Sequence, residues 1–283
     1  MNWFDRSLFV MVITLAGISY GTQAYAPHTD ELTVHMLDVG QGDAFLIKTP
    51  EGNRMLIDTG PPGAIISALA DVMPFADRTI DVLLLTHPDT DHIGGAPDIL
   101  ERYDVGIVVT TPTECAKELC AIIDDQIQQS GVATYQVTLG SIIDLGGGVV
   151  FDVLSPSLKG LEGNNDTSII GRLGYGDTTM LFTGDASARI ERYVASVWGT
   201  LLDVDVLKAG HHGSKTSTAD ELLKVTTPDI VFISAGRNNR YGHPHDDVVN
   251  RIKATDATVY GTYESGTVTL TSDGNRFEVK NKD

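Results

Sequence analysis

The chain has 283 residues, 42% of them hydrophobic and 20% charged, which is enough apolar material for a packed core and excludes an intrinsically disordered polypeptide. Its 38 acidic residues against 20 basic ones give a formal net charge of −18, which excludes the long-range positive field that drives tight nucleic-acid binding. A nucleic-acid role would have to rest on a local basic patch or on bound cations, and the length suits one large domain better than two.

At the N-terminus, Arg6 and the chain amine stand against Asp5, and the run SLFVMVITLAGIS follows. It has the length of a secretory apolar region and is too short to span a bilayer comfortably. The small residues behind it include Ala24-Tyr25-Ala26, which satisfies the A-x-A pattern for cleavage after Ala26. Pro27 would hinder a peptidase there, so cleavage after Ala24 and retention as an anchor both stay open. We therefore expect residues 1–26 to be a signal peptide or N-terminal anchor, residues 27–283 to form a single domain, and the protein to reside in the periplasm or outside the cell. Cleavage leaves the net charge unchanged, because the segment carries one acid and one base.

From Leu32 the runs LTVHMLDV, AFLIKT and RMLIDTG read as strands separated by glycine-rich turns. The strands IDVLLLT, VGIVVT and 133–138 then alternate with helices over 96–102 and 112–129. The helix at 112 rests on Thr111-Pro112-Thr113-Glu114, a capping box with proline at the first helical position. Cys115 and Cys120 are the only cysteines. Five residues apart on an ideal helix they face different ways, and a bridge needs a looser first turn, so a disulfide and two free thiols both remain open. A second β-rich stretch covers 149–154, 168–173 and 179–182, the last two joined as a hairpin through Gly174-Tyr175-Gly176-Asp177. The βα alternation then resumes with a helix over 186–197, a strand over 203–208, a helix over 218–225, a strand over 230–234 and a helix over 246–254. Three short strands at 258–260, 267–271 and 277–279 close the chain. The two halves share one grammar, which fits two sheets packed face to face with helices outside.

The strongest chemical signal is His87-Pro88-Asp89-Thr90-Asp91-His92, at the end of the apolar strand IDVLLLT. In an extended loop His87 and Asp89 point the same way, and the turn that follows brings Asp91 and His92 to a second cation, which gives a two-metal site. Asp185, after the strand TMLF, sits where one carboxylate can bridge two cations. His211 and His212 lie between glycines after DVDVLKAG; an adjacent pair does not face one point from an extended loop, so His211 is assigned to the site and His212 to its surroundings or to solvent. Six of the eight histidines fall in three strand-end loops, which leaves His28 and His35 outside the site. Asp43 and Asp58 are placed to hold a ligand histidine by its other ring nitrogen. Lys215 is a candidate to neutralise a phosphate oxygen.

These motifs resemble the metallo-β-lactamase superfamily, whose signature here is H-x-H-x-D-H; this chain has H-x-D-x-D-H. Asp38-Val39-Gly40-Gln41-Gly42-Asp43-Ala44, the histidine loop, Asn165-x-x-Ser168, Thr183-Gly184-Asp185, Gly210-His211-His212-Gly213-Ser214 and Tyr241-Gly242-His243-Pro244 follow the order seen in the C-terminal domain of ComEC-like competence proteins. The resemblance covers about residues 32–280 and implies an α/β, four-layer αββα sandwich. It also implies a dimetal hydrolase with a nuclease-like role in DNA uptake. Carried onto this sequence, the metal ligands are His87, Asp89, Asp91, His92, Asp185 and His243, the last at the position that resembles the final histidine of the centre. Asn165 and Ser168 stand where zinc-dependent members have a third histidine, and this chain has none there. Asp89 in place of an imidazole shifts the preference from zinc toward manganese.

The expected protein is an exported hydrolase with two divalent ions, manganese or zinc, whose activated water attacks a phosphodiester. Asp91 is expected to carry catalysis, with His211 or Lys215 as proton donor, and Asp43, Asp58, Asn165, Ser168 and His212 to orient ligands or touch substrate. DNA or another phosphodiester is the expected partner. Transport is not expected of this chain alone, since competence proteins carry the domain behind a long membrane channel. A lactone or other ester hydrolase of the same superfamily is the alternative, and a secreted binding protein with a degraded site is a third reading.

Overall fold

The computed structural model describes residues 12–14, 31–156 and 163–280. Of the apolar N-terminal run only the strand Val12–Thr14 falls among them, so the signal or anchor expectation lies outside the described residues. The described residues form two eight-stranded sheets. One runs, edge to edge, Phe277–Lys280, Val268–Ser272, Leu32–Met36, Phe45–Lys48, Arg54–Ile57, Thr79–Leu85, Asp104–Thr110 and Ala133–Gln136. The other runs Val12–Thr14, Ile142–Asp144, Val149–Ser155, Ile170–Tyr175, Thr178–Phe182, Val206–Lys208, Ile230–Ile233 and Thr258–Gly261.

Three apolar clusters define the layers. The first lies between the sheets, where the alternating inward positions Leu32, Val34 and Met36 meet Phe151, Val153 and Phe182; Phe45 and Phe182 cross this gap edge to face at 5.2 Å. The second packs the outer face of the first sheet against Ile65–Ala70, Ala96–Arg102 and Glu118–Ser130. The third packs the outer face of the second sheet against Ala188–Trp198, Asp220–Thr226 and Asp246–Lys253. The architecture is therefore the four-layer αββα sandwich expected from the motifs.

One feature adds to the sequence reading and one departs from it. The closing hairpin, Val268–Ser272 with Phe277–Lys280, crosses to the first sheet and pairs with Leu32–Met36, putting Val268 and Leu270 into the central core. The helix expected from residue 112 begins at Glu118. Thr111 bonds the Thr113 hydroxyl at 3.4 Å, and Cys115, left outside the helix, is bridged to Cys120 in its first turn with the Cα atoms 6.1 Å apart. The capping box is not formed, and the looser start that a bridge requires is what the chain adopts.

The site-bearing loops leave their strands on the same edge. Asp58 follows Arg54–Ile57, His87 to His92 follow Thr79–Leu85, and Asp185 follows Thr178–Phe182; the two central histidines follow Val206–Lys208. Such an edge, outside the carboxyl ends of parallel strands, is where α/β sheets place their sites.

Candidate metal centre

His87 and His92 are both buried, with ring centroids 4.1 Å apart. Asp58, in left-handed backbone at φ 57°, accepts from the Thr86 backbone at 2.8 Å and the Thr86 hydroxyl at 2.7 Å. Its Oδ2 also lies 2.7 Å from His92 Nδ1. That contact places a proton on His92 Nδ1 and turns Nε2 toward the site as the nitrogen that would face a cation. His87 Nδ1 is likewise engaged, 3.1 Å from the Thr86 hydroxyl.

The Gly-His-His-Gly segment is not extended. His211 and His212 both take left-handed backbone, at φ 47° and 55°, and the sharp turn sends the two side chains in different directions. His212 turns inward: it is buried, its Nδ1 is 2.9 Å from the Ser234 carbonyl, and its Nε2 lies 3.3 Å from Asp91 and 3.4 Å from Asp185. His211 stays at the mouth, 27% exposed, with Nε2 at 3.6 Å from Asp185 and Nδ1 facing Asn165 and Thr216. The burial is thus the reverse of that expected from an extended loop.

Four residues, Asp91, His92, Asp185 and His212, bring one ligand atom each to within 4.8 Å of one another. His92 Nε2 is 3.2 Å from Asp185 Oδ2. The Nε2 atoms of His87, His92 and His212 are buried without a hydrogen-bond partner. Buried imidazole nitrogens without partners, pointing at shared carboxylates, are the donor set of a divalent-cation site, so the residues fit such an ion. A second trio, Asp43, Asp58 and His92, is engaged otherwise: Asp58 holds His92 Nδ1, and Asp43 lies 2.5 Å from the ammonium of Lys208.

Lys208 is a site residue that the motifs did not single out. It is fully buried, donates to the Gly184 carbonyl at 2.7 Å and stands 3.6 Å from Asp185 Oδ1. Its only sequence signal is a lysine ending an apolar strand two residues before the glycine that precedes the histidine pair. Burial opposes its charge, but Asp43 and Asp185 outweigh burial and hold its pKa above the ordinary lysine value. The same balance runs through the cluster. Burial pushes the Asp185 and Asp43 carboxyls up, yet the surrounding cationic groups hold both below the usual range. His92 and His212, despite burial, are held well above the ordinary imidazole value by Asp185 with Asp58 and Asp43 respectively. The cluster has a strong demand for positive charge.

The remaining expected residues are placed as follows. Ser168 is buried and its hydroxyl accepts from the Asp185 backbone at 3.2 Å. Asp89 lies 3.6 Å from His87 Nε2. Its carboxyl is held low first by His87, and by Lys117 and Asn164 against the effect of burial. The His243 ring stands beside those of His211 at 5.7 Å, Tyr241 at 5.7 Å and His212 at 6.3 Å. Lys215 is exposed and pairs with Asp247 at 3.4 Å, so the lysine that touches the cluster is Lys208. Gly42 explains one constraint of the first loop, since a Cβ there would lie 2.1 Å from the Asp91 carbonyl.

Two stacked sheets with a histidine and aspartate cluster at one edge define a metal-dependent hydrolase fold. Residues 37–237 match the family model of the metallo-beta-lactamase superfamily, and the chain belongs to that superfamily. It is 32% identical over 257 residues to ComE operon protein 3 of Bacillus subtilis, covering 85% of this chain and 33% of the relative. It is 31% identical over 259 residues to competence protein ComA of Neisseria gonorrhoeae, covering 90% and 34%. This chain therefore spans about a third of the length of these relatives. Exodeoxyribonuclease WalJ of Streptococcus pneumoniae is 22% identical over 179 residues, covering 60% of this chain and 62% of the relative. The metallo-beta-lactamase fold protein YhfI from Bacillus subtilis superposes with a TM-score of 0.60 at 14% identity, over 86% of this chain and all of that one; at this identity the likeness speaks for the fold alone.

Proposed function

We propose that the protein is an exported, divalent-metal-dependent phosphodiesterase whose substrate is DNA. The observation that carries the hydrolytic part is the pair of buried Nε2 atoms, of His92 and His212, that converge on Asp185 and Asp91, with His87 Nε2 facing Asp89 beside them. The relatives named for competence and for exodeoxyribonuclease activity support DNA as the substrate. The disulfide between Cys115 and Cys120 supports an oxidising compartment and hence export.

When bound, a pair of divalent cations supplies Lewis-acid polarisation of a phosphoryl oxygen and lowers the pKa of water toward neutrality. The chain's part is to hold and to aim. Asp91, His92, Asp185 and His212 would be the primary ligands, with His87 and Asp89 on the neighbouring side; manganese would be favoured over zinc because carboxylates make up half of this set. Asp58 and the Ser234 carbonyl fix the two inner imidazoles with Nε2 toward the ion. Lys208 and Asp43 balance the charge behind Asp185 so that its carboxylate stays ionised. His211, partly exposed with Nε2 3.6 Å from Asp185, would hand a proton to the departing oxygen.

The test is cleavage of single-stranded and duplex DNA by the purified protein with manganese and, separately, with zinc. Cleavage is expected to be stronger in manganese and to fall to background in Asp91→Ala. Absence of cleavage in either metal, with metal bound, would overturn the DNA reading in favour of a lactone or another ester.

A further inference from the structure

Lys117 and the disulfide loop that carries it lie outside every motif of the site, yet they touch it. Cys115 and Cys120 close a short loop around the start of the helix Glu118–Ser130, with Lys117 immediately before its first residue. The Lys117 ammonium donates to the Pro88 carbonyl at 2.7 Å and to Asp89 Oδ1 at 2.6 Å. Asn164 Nδ2 donates to the same Oδ1 at 2.8 Å. With two donors on Oδ1, Asp89 has one oxygen left for the inner side, Oδ2, which lies 3.6 Å from His87 Nε2.

The two halves of the centre are therefore unequal. On one side two imidazoles and two carboxylates converge. On the other stand His87 Nε2 and a single oxygen of Asp89, the residue that replaces an imidazole in the H-x-H-x-D-H pattern. We propose that Lys117, fixed against Asp89 by the disulfide loop, makes the two cation sites unequal by holding the affinity of the His87 and Asp89 side for a second divalent ion low. This inference rests on the dimetal reading above. A fixed ammonium on one of only two ligands both repels an incoming dication and weakens the carboxylate's field. The Lys117 side chain is 41% exposed, so solvent screens the effect and a change of about tenfold is expected rather than thousands. Without the bridge the same contacts would have to order an open loop and a long flexible side chain at the same time.

The experiment is a manganese titration of the full chain, with free ion followed by electron paramagnetic resonance, in the wild type, Lys117→Met, Lys117→Arg and Cys115→Ser/Cys120→Ser. The wild type is expected to take up one ion tightly and a second more weakly. Lys117→Met and the double serine variant should tighten the second step by about tenfold and leave the first unmoved, and Lys117→Arg should keep the wild-type pattern. A second step that is unchanged or weaker in Lys117→Met would overturn the proposal. A shift in Lys117→Met that the folded double serine variant lacks would remove the disulfide from it. If the double variant does not fold, Lys117→Met alone decides, since an exposed methionine keeps the lysine's aliphatic stem. Wild-type protein that binds no manganese would contradict the dimetal reading itself, an outcome distinct from either of these.

Discussion

His92 would serve a cation only because Asp58 holds its Nδ1 and turns Nε2 inward. The carboxylate accepts from Thr86 twice and from His92 Nδ1, and it does so from a left-handed backbone position that only a neighbourhood of fixed partners would maintain. Asp58→Asn keeps the shape but puts an amide where the charge stood. It is expected to lower metal affinity by about 10–100-fold while leaving the folded state intact, as read by metal titration beside circular dichroism; unchanged affinity would mean that Asp58 only builds the turn. At this scale the H-x-D-x-D-H loop was legible, because its ligand types sit within six residues and local spacing fixes their neighbourhood. The roles of His211 and His212 were not, because they depend on two consecutive left-handed residues that nothing in the letters G-H-H-G announces. Lys208 was hidden for a different reason: its partners Asp43 and Asp185 come from distant loops, and a lone lysine at a strand end carries no pattern.

Among the elements, the helix Ala188–Trp198 does more than cover the second sheet. It carries Glu191, fully buried, whose carboxyl accepts from the Thr218 and Ala219 backbone at 2.9 and 2.7 Å and so pins the segment that leads from the histidine pair into Asp220–Thr226. Burial pushes the Glu191 carboxyl up to about 7 from 4.5, more than the two backbone donors hold it down. Between those values the folded chain keeps a proton that the unfolded chain has released. The stability this contributes is complete below pH 4.5 and is lost as pH rises through about 7. Glu191→Gln has no such proton, so the difference in unfolding free energy between the two proteins should move in the variant's favour across that window and stay flat above it. Urea unfolding at a series of pH values measures this, and a constant difference would show that the carboxyl titrates normally. The buried strands and most helices were legible from apolar runs and βα alternation. The start of Glu118–Ser130 was not, because the disulfide and the hold of Lys117 on Pro88 and Asp89 compete with a local capping signal and win. The strands of the closing hairpin were legible but their sheet was not, because strand partners across more than 200 residues, as between Val268 and Met36, leave no local trace.

For the whole molecule, the net charge of −18 and the demand of the site for positive charge belong together. The carboxylates that converge on one sheet edge are held ionised by Lys208 and the surrounding imidazoles. On the proposed function a divalent ion would add to that positive charge and would let an acidic protein meet a phosphodiester. Among the described residues no helix is long and apolar enough to cross a membrane. The central claim, that Asp91, His92, Asp185 and His212 hold a divalent cation, is tested most directly by the metal content of the purified protein, measured by mass spectrometry beside Asp185→Ala. Stoichiometric manganese or zinc in the wild type and its loss in the folded variant is the predicted result. A wild type free of divalent metal, or a variant that keeps it, would contradict the account.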